Sequence, residues 1–188
     1  MYTVLCKKEA QLIDSRAINE KYITKQKLMD NAGKLSAQFF LEKIKDPFNA
    51  KVLVLAGKGD NGGDAIIMHH YLRNYGVDSK LYIFHPNLSR SLIKHYEISK
   101  KYVLQSTDEI SFDNYDWFID GIFGIGLNRK IRGPYKKVIK SISKRNIISI
   151  DIPSGIECDS GTPLSDCYIS PSYVLSMGYY KYANIINE

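Results

Sequence analysis

The sequence predicts one α/β domain with a mostly parallel, doubly wound sheet, helices on both faces and a helical N-terminal extension. Three observations carry that expectation. From Lys51 onward, strand-length apolar runs alternate with longer helical segments, the pattern of right-handed β-α-β crossovers. The run Val52-Leu53-Val54-Leu55-Ala56 is continuously apolar, as a strand buried on both faces must be. Three of the runs end in loops rich in Gly, Asp and Ser, and ligands of such sheets bind at the carboxyl ends of the strands.

Two helices come first. Residues 9–20 place Ala10, Ile13, Ala17 and Ile18 on one stripe. Thr24 is placed as the N-cap of a second helix running through Leu28, Met29, Ala32, Leu35, Phe39 and Phe40 to about Ile44, before Asp46-Pro47. Residues 51–56 form the first core strand, and after a glycine-rich turn residues 64–75 form a helix that Gly76 closes. Residues 80–84 are the next strand, with Pro86 as a stop and Asn87 capping a helix to about Lys101. A short strand is expected at 102–104 and another at 117–119, with Asp120 at its C-terminal end. Pro134 opens a helix to about Lys144, a position where its missing N–H costs nothing. Residues 146–150 form a strand ending at Asp151, and 173–176 form the last. No repeat, low-complexity linker or internal boundary divides the 188 residues, which fit one domain with a sizeable core.

Composition excludes several classes. The chain is 44% apolar and 24% charged, as globular domains are, and no apolar run approaches the roughly 20 residues that span a bilayer. The first residues lack the pattern of a secretory or mitochondrial leader, so the expected location is cytoplasmic. Cys6, Cys158 and Cys167 are odd in number and widely spaced, which argues for reduced thiols rather than a disulfide or zinc framework. The net charge of +6 is spread in short pairs such as Lys100-Lys101 and Lys136-Lys137, without an aromatic-basic RNA motif, so nucleic acid is not the expected partner.

The chemistry is expected on three loops converging on one rim: residues 57–64, 120–126 and 151–155. Gly57-x-Gly59-x-x-Gly62 has the spacing of a dinucleotide fingerprint, in which the backbone and the following helix cradle a pyrophosphate. A nicotinamide dehydrogenase is then one reading. Against it, the second strand ends Phe84-His85-Pro86, without the acid that holds a ribose, and Asp60 and Asp64 place carboxylates beside the phosphate position. A plain turn with Asp64 capping the helix is the structural alternative. Asp120 follows Trp117-Phe118-Ile119 and needs a partner for its partly desolvated charge, and Arg129 to Arg132 offer donors to an anion. In the third loop Pro153 and Gly155 shape a turn that leaves Asp151 and Ser154 at the rim. The oxygen donors Asn61, Asp120 and Ser154, with loop carbonyls, suit an alkali or alkaline-earth cation. His69, His70, His85 and His95 form no zinc set.

Gly57 to Asp64, then 119–127 followed by Arg132-Gly133-Pro134-Tyr135, then 150–155 with Asp159-Ser160-Gly161, resemble in order the motifs of the NAD(P)H-hydrate epimerase family, the YjeF N-terminal domain family. Residues 28–33 resemble its helical segment, and the resemblance covers about residues 5–181. It implies a Rossmann-like three-layer α/β/α sandwich and, as an assembly, a homodimer. The implied activity is an isomerase interconverting the R and S forms of NADHX and NADPHX, with a separate dehydratase acting in the same repair pathway. It implies one potassium ion per subunit held by Asn61, Asp120 and Ser154. Substrate contacts fall on Asp60, Asn61, Gly62, Gly63 and Asp64, on Gly124, Ile125, Gly126, Leu127, Asn128, Arg129 and Lys130, and on Asp151. Epimerising the carbon that bears the hydroxyl needs a general acid/base, for which Asp151, assisted by Lys181, is the candidate. The sequence departs from the family loop at Asp60 and Ala65, which stand for Asn and Gly, and its tail from Tyr173 onward is divergent. The chain stops at Glu188, so no fused dehydratase domain is expected. The alternative is a catalytically weak or inactive relative that acts as a dimeric ligand- or RNA-binding scaffold related to mRNA-decapping enhancers.

Overall fold

The structure, a computed structural model, describes residues 3–85 and 87–185. Its elements in chain order are β1 (Val4–Leu5), α1 (Lys7–Asn19), α2 (Lys25–Lys43), β2 (Lys51–Ala56), α3 (Asp60–Asn74), β3 (Asp78–Ile83) and α4 (Arg90–Ser99). There follow β4 (Val103–Leu104), β5 (Trp117–Gly121), α5 (Gly133–Ile142), β6 (Asn146–Ile150), β7 (Tyr173–Leu175) and β8 (Tyr180–Lys181).

The main sheet has the order β4-β3-β2-β5-β6-β7, and every pairing in it is parallel. The order reverses between β2 and β5, so a crevice opens outside the carboxyl ends of those two strands. Side chains alternate between two cores. Val52, Val54, Ile119 and Ile148 face α2, α3 and α4, where they meet Met29, Phe40, Ile66, Leu72 and Leu92. Leu53, Leu55, Phe118 and Ile147 face α5, where they meet Val138, Ile139 and Ile142. Helices thus cover both faces of a parallel sheet, a Rossmann-like three-layer arrangement.

Several boundaries differ from the expectation for physical reasons. The helix after β2 begins at Asp60, not Asp64, with Gly59 as its N-cap; Asp60 to Gly63 are its first turn rather than a loop. Close packing permits nothing larger at two of these glycines: a Cβ on Gly57 would lie 1.8 Å from the Ile122 carbonyl oxygen, and one on Gly62 2.0 Å from that of Gly57. The cap of α4 is Ser89 rather than Asn87, and α4 ends at Ser99 in a 3₁₀ turn; Pro86 lies outside the described residues. Thr24 caps α2 as expected, its Oγ1 accepting from the Lys27 N–H at 3.1 Å.

One element pair is absent from the sequence reading. β1 pairs in parallel with β8, Leu5 opposite Lys181, a two-stranded ribbon too short to carry a periodic signal. The Lys7 N–H adds a bond of 2.6 Å to Asp159. Together they tie the start of α1 to the tail that carries Lys181.

Buried His69 bonds Ser79 Oγ at 3.0 Å. Loss of water, then the charge of Arg73, brings its pKa down to about 3. The folded state therefore holds His69 neutral while the unfolded chain protonates near 6.5, so stability is complete above about pH 6.5 and is lost as pH falls toward 3. Thermal melts between pH 7 and 4 are expected to show a slope approaching about 1.4 kcal/mol per pH unit from this residue, absent in His69→Gln.

Candidate active site

The three loops do converge at the crevice. Gly57 N–H donates to the Gly121 carbonyl at 3.0 Å, joining the first loop to the second. Asn61 Nδ2 donates to the Phe123 carbonyl at 3.0 Å. The Phe123 N–H in turn donates to Ser154 Oγ at 2.9 Å, joining the second loop to the third.

At the centre lies Asp120, with no exposed surface. Its Oδ1 accepts from Ser154 Oγ at 2.6 Å and from the Ile122 N–H at 3.2 Å. Its Oδ2 accepts from Ser149 Oγ at 2.8 Å and the Ser154 N–H at 2.9 Å. Burial raises its pKa, and the bonds from Ser154, Ser149 and Ile122 oppose that rise. Asn61, Asp120 and Ser154, the expected cation ligands, are thus brought together around the Phe123 carbonyl. With Nδ2 engaged, Asn61 presents Oδ1 beside Gly124. Amide, hydroxyl, carboxylate and carbonyl oxygens on one side of a crevice fit a hard monovalent cation.

Asp151 sits just beyond β6 with φ 65°, in the left-handed region that an Asp tolerates at some cost. The conformation is held from both sides: its N–H donates to the Leu175 carbonyl at 2.8 Å, and its carbonyl accepts from Asn184 Nδ2 at 2.8 Å. Its Oδ1 is ion-paired with Lys181 Nζ and accepts from the Met177 N–H at 3.2 Å. Lys181 is 3% exposed, and its Nζ also donates to the Met177 carbonyl at 2.6 Å. Its N–H donates to Asn184 Oδ1 at 2.7 Å. The two residues read as a catalytic pair are therefore in contact despite the divergent tail around Lys181.

Asp64 is partly buried one turn into α3. Loss of water is the largest cause holding its pKa well above the usual carboxyl range; the charges of Asp151, Asp60 and Asp14 add to it, and Lys25 opposes them. Asp60 is exposed and ion-paired with Lys25 at 2.7 Å. Within 124–130, Gly124 lies beside Asn61, Ile125 and Leu127 pack against hydrophobic clusters, and Asn128, Arg129 and Lys130 are exposed.

Four rim residues escaped the sequence reading. Asp14, exposed on α1, has its pKa raised, first by loss of water and further by the charges of Asp151 and Asp60, while Lys181 lowers it. Lys25 is the second. Ser149 was visible as a hydroxyl inside the apolar run 146–150, and Asn184 as a polar residue three positions beyond Lys181. A surface cavity of about 400 Å³ lies elsewhere, between α2, α3 and α4, beside Lys27, Asp30, His70, Lys94 and His95. None of the rim carboxylates lines it, so the chemistry is assigned to the rim.

Residues 25–183 match the family model described as YjeF-related protein N-terminus. The chain belongs to that family. It is 30% identical to the NAD(P)H-hydrate epimerase of Elusimicrobium minutum, over 96% of this chain and 87% of that one. It is also 35% identical to the bifunctional NAD(P)H-hydrate repair enzyme Nnr of Dictyoglomus turgidum, over 90% of this chain and 34% of that one. The chain thus spans about a third of the length of that bifunctional relative. The crystal structure of a yeast protein superposes with a TM-score of 0.83 at 25% identity, covering 95% of this chain and 82% of that one. The dehydrogenase reading gives way to this assignment. Among the described residues, no helix is long and apolar enough to cross a membrane.

Proposed function

We propose that this YjeF-related domain is an NAD(P)H-hydrate epimerase that interconverts the R and S forms of NADHX and NADPHX at the β2/β5 rim. The observation that carries the reading is the buried Asp151–Lys181 ion pair, with Asp151 held at φ 65° just beyond β6. Hydration of a dihydronicotinamide puts a hydroxyl on the ring carbon next to nitrogen, and inverting that carbon requires proton transfer to and from oxygen. The Asp151 carboxylate, ion-paired with a buried ammonium, serves as the proton acceptor. Asp60 to Asp64 and Gly124 to Lys130 frame the substrate, with Arg129 and Lys130 offered to the diphosphate.

Potassium, one ion per subunit, would be held by Asn61, Asp120 and Ser154 with the Phe123 carbonyl. Its charge offsets the carboxylates of the rim and lets them accept an anionic ligand. A homodimer, a cytoplasmic location and a separate dehydratase consuming the S form complete the reading. The test couples the protein to an S-specific dehydratase with an R/S NADHX mixture. Full consumption of both forms, faster in potassium than in N-methylglucamine, is expected; an untouched R fraction contradicts the proposal.

A further inference from the structure

We propose that Asn184 is a positioning residue of this site, setting Lys181 against Asp151 and so fixing where the proton acceptor stands. The assignment rests on the epimerase reading and adds to it how the pair is held. Asp151 and Lys181 come from segments remote in sequence, just beyond β6 and the end of β8, and each has a reason to drift. Asp151 sits at φ 65°, a conformation that persists in an Asp because its surroundings hold it. Lys181 carries its ammonium on a flexible four-carbon stem, whose origin depends on where the backbone lies.

The Asn184 side chain ties both backbones. It is half-buried in the 3₁₀ turn Tyr182–Asn184 that follows β8. Its Oδ1 accepts from the Lys181 N–H at 2.7 Å, and its Nδ2 donates to the Asp151 carbonyl at 2.8 Å. An amide suits this task because it offers an acceptor and a donor from one planar group, where a carboxylate only accepts. The two bonds also fix which way the amide points. Flipped, it would set its NH₂ against the Lys181 N–H and its oxygen against the Asp151 carbonyl.

The tail has other anchors, so Asn184 is not what keeps it on the domain. β8 pairs with β1, and the Ala183 N–H donates to the Cys158 carbonyl at 3.0 Å. Ala183 is buried with Ile152, Ile156 and Cys158. What Asn184 adds is a second tie between Asp151 and Lys181, at their backbones, beside the ion pair of their side chains. An ion pair alone allows a lysine several arrangements, whereas the backbone tie selects one. Misplacing a reacting group by about 1 Å costs about 10²-fold in rate.

The test compares wild type, Asn184→Ala, Asn184→Asp and Cys158→Ala in the conversion of purified R-NADHX, each at a temperature where circular dichroism shows it folded. Asn184→Ala is expected to lose about 10- to 100-fold in kcat with KM within about threefold. Its Lys181 amide, deprived of its acceptor, is expected to exchange hydrogen faster by NMR. Cys158→Ala opens a cavity in the cluster that buries Ala183 and controls for loosened packing; its Tm should fall while kcat stays within about twofold of wild type. Asn184→Asp keeps an acceptor for Lys181 and loses the donor to Asp151. It is expected to lose about 10-fold in kcat, and it decides the matter if Asn184→Ala does not fold. Wild-type kcat in the Asn184 variants, a change in KM alone, or an equal loss of kcat in Cys158→Ala overturns the assignment while leaving the epimerase reading intact. A wild type that inverts neither epimer refutes the epimerase reading itself.

Discussion

Asp151→Asn is expected to lower the kcat for R-to-S conversion by about 10²–10⁴-fold, the usual contribution of a positioned general base. Asn retains the shape and tolerates the φ of 65° at this position, so the backbone is not the cause of the loss. What disappears is the proton acceptor and the counter-charge of Lys181. Because Lys181 is almost wholly buried, removing its partner leaves an uncompensated ammonium, with a cost of about 3–5 kcal/mol in stability. The double variant Asp151→Asn/Lys181→Met removes both charges. It is expected to recover much of the stability and none of the activity, which thermal melts and epimer-resolved chromatography read separately.

Asp120→Ala is the second large effect, and it acts on folding before catalysis. The carboxylate gathers Ser149 from β6, Ser154 from the third loop and the Ile122 N–H from the second. Truncation leaves those donors buried with no acceptor, each at about 1–3 kcal/mol, for a total of about 4 kcal/mol or more. For a chain of this size that is a fall in Tm of roughly 8–16 °C. The same change removes one of the oxygens expected to hold potassium, so the stabilisation of wild type by potassium over N-methylglucamine should vanish with it. Differential scanning calorimetry in the two salts checks both statements.

The parts of this molecule that were legible in the sequence are those set by local pattern. The continuous run 52–56 reads as a strand buried on both faces, and Val52, Leu53, Val54, Leu55 and Ala56 have no exposed surface. Thr24 reads as a cap because a hydroxyl just before a helical stripe can accept from the free N–H groups of the first turn. Asn61, Asp120 and Ser154 group as hard oxygen donors on three rim loops, and hydrogen bonds through Phe123 join Asn61 to Ser154, which in turn bonds Asp120. What the sequence hid depends on contacts between distant segments. Asn61 to Gly63 read as a loop because glycine weakens a helix, yet packing against Gly57 and Met29 makes glycine the residue that fits there. The β1–β8 ribbon joins residues about 175 positions apart by two register pairs, too few for any periodicity to reveal. Asp14 reads as one more surface acid on α1 until that ribbon brings the helix to the rim.

The most direct measurement is the approach to equilibrium of a single purified epimer. R-NADHX incubated with catalytic amounts of the protein in potassium buffer, sampled by chromatography that separates R from S, should relax to the same R:S ratio as the S form started alone. Asp151→Asn run beside it should leave the R form at the uncatalysed rate. Persistence of pure R with the folded wild-type protein, or equal relaxation by wild type and Asp151→Asn, would contradict the placement of epimerase chemistry at this rim.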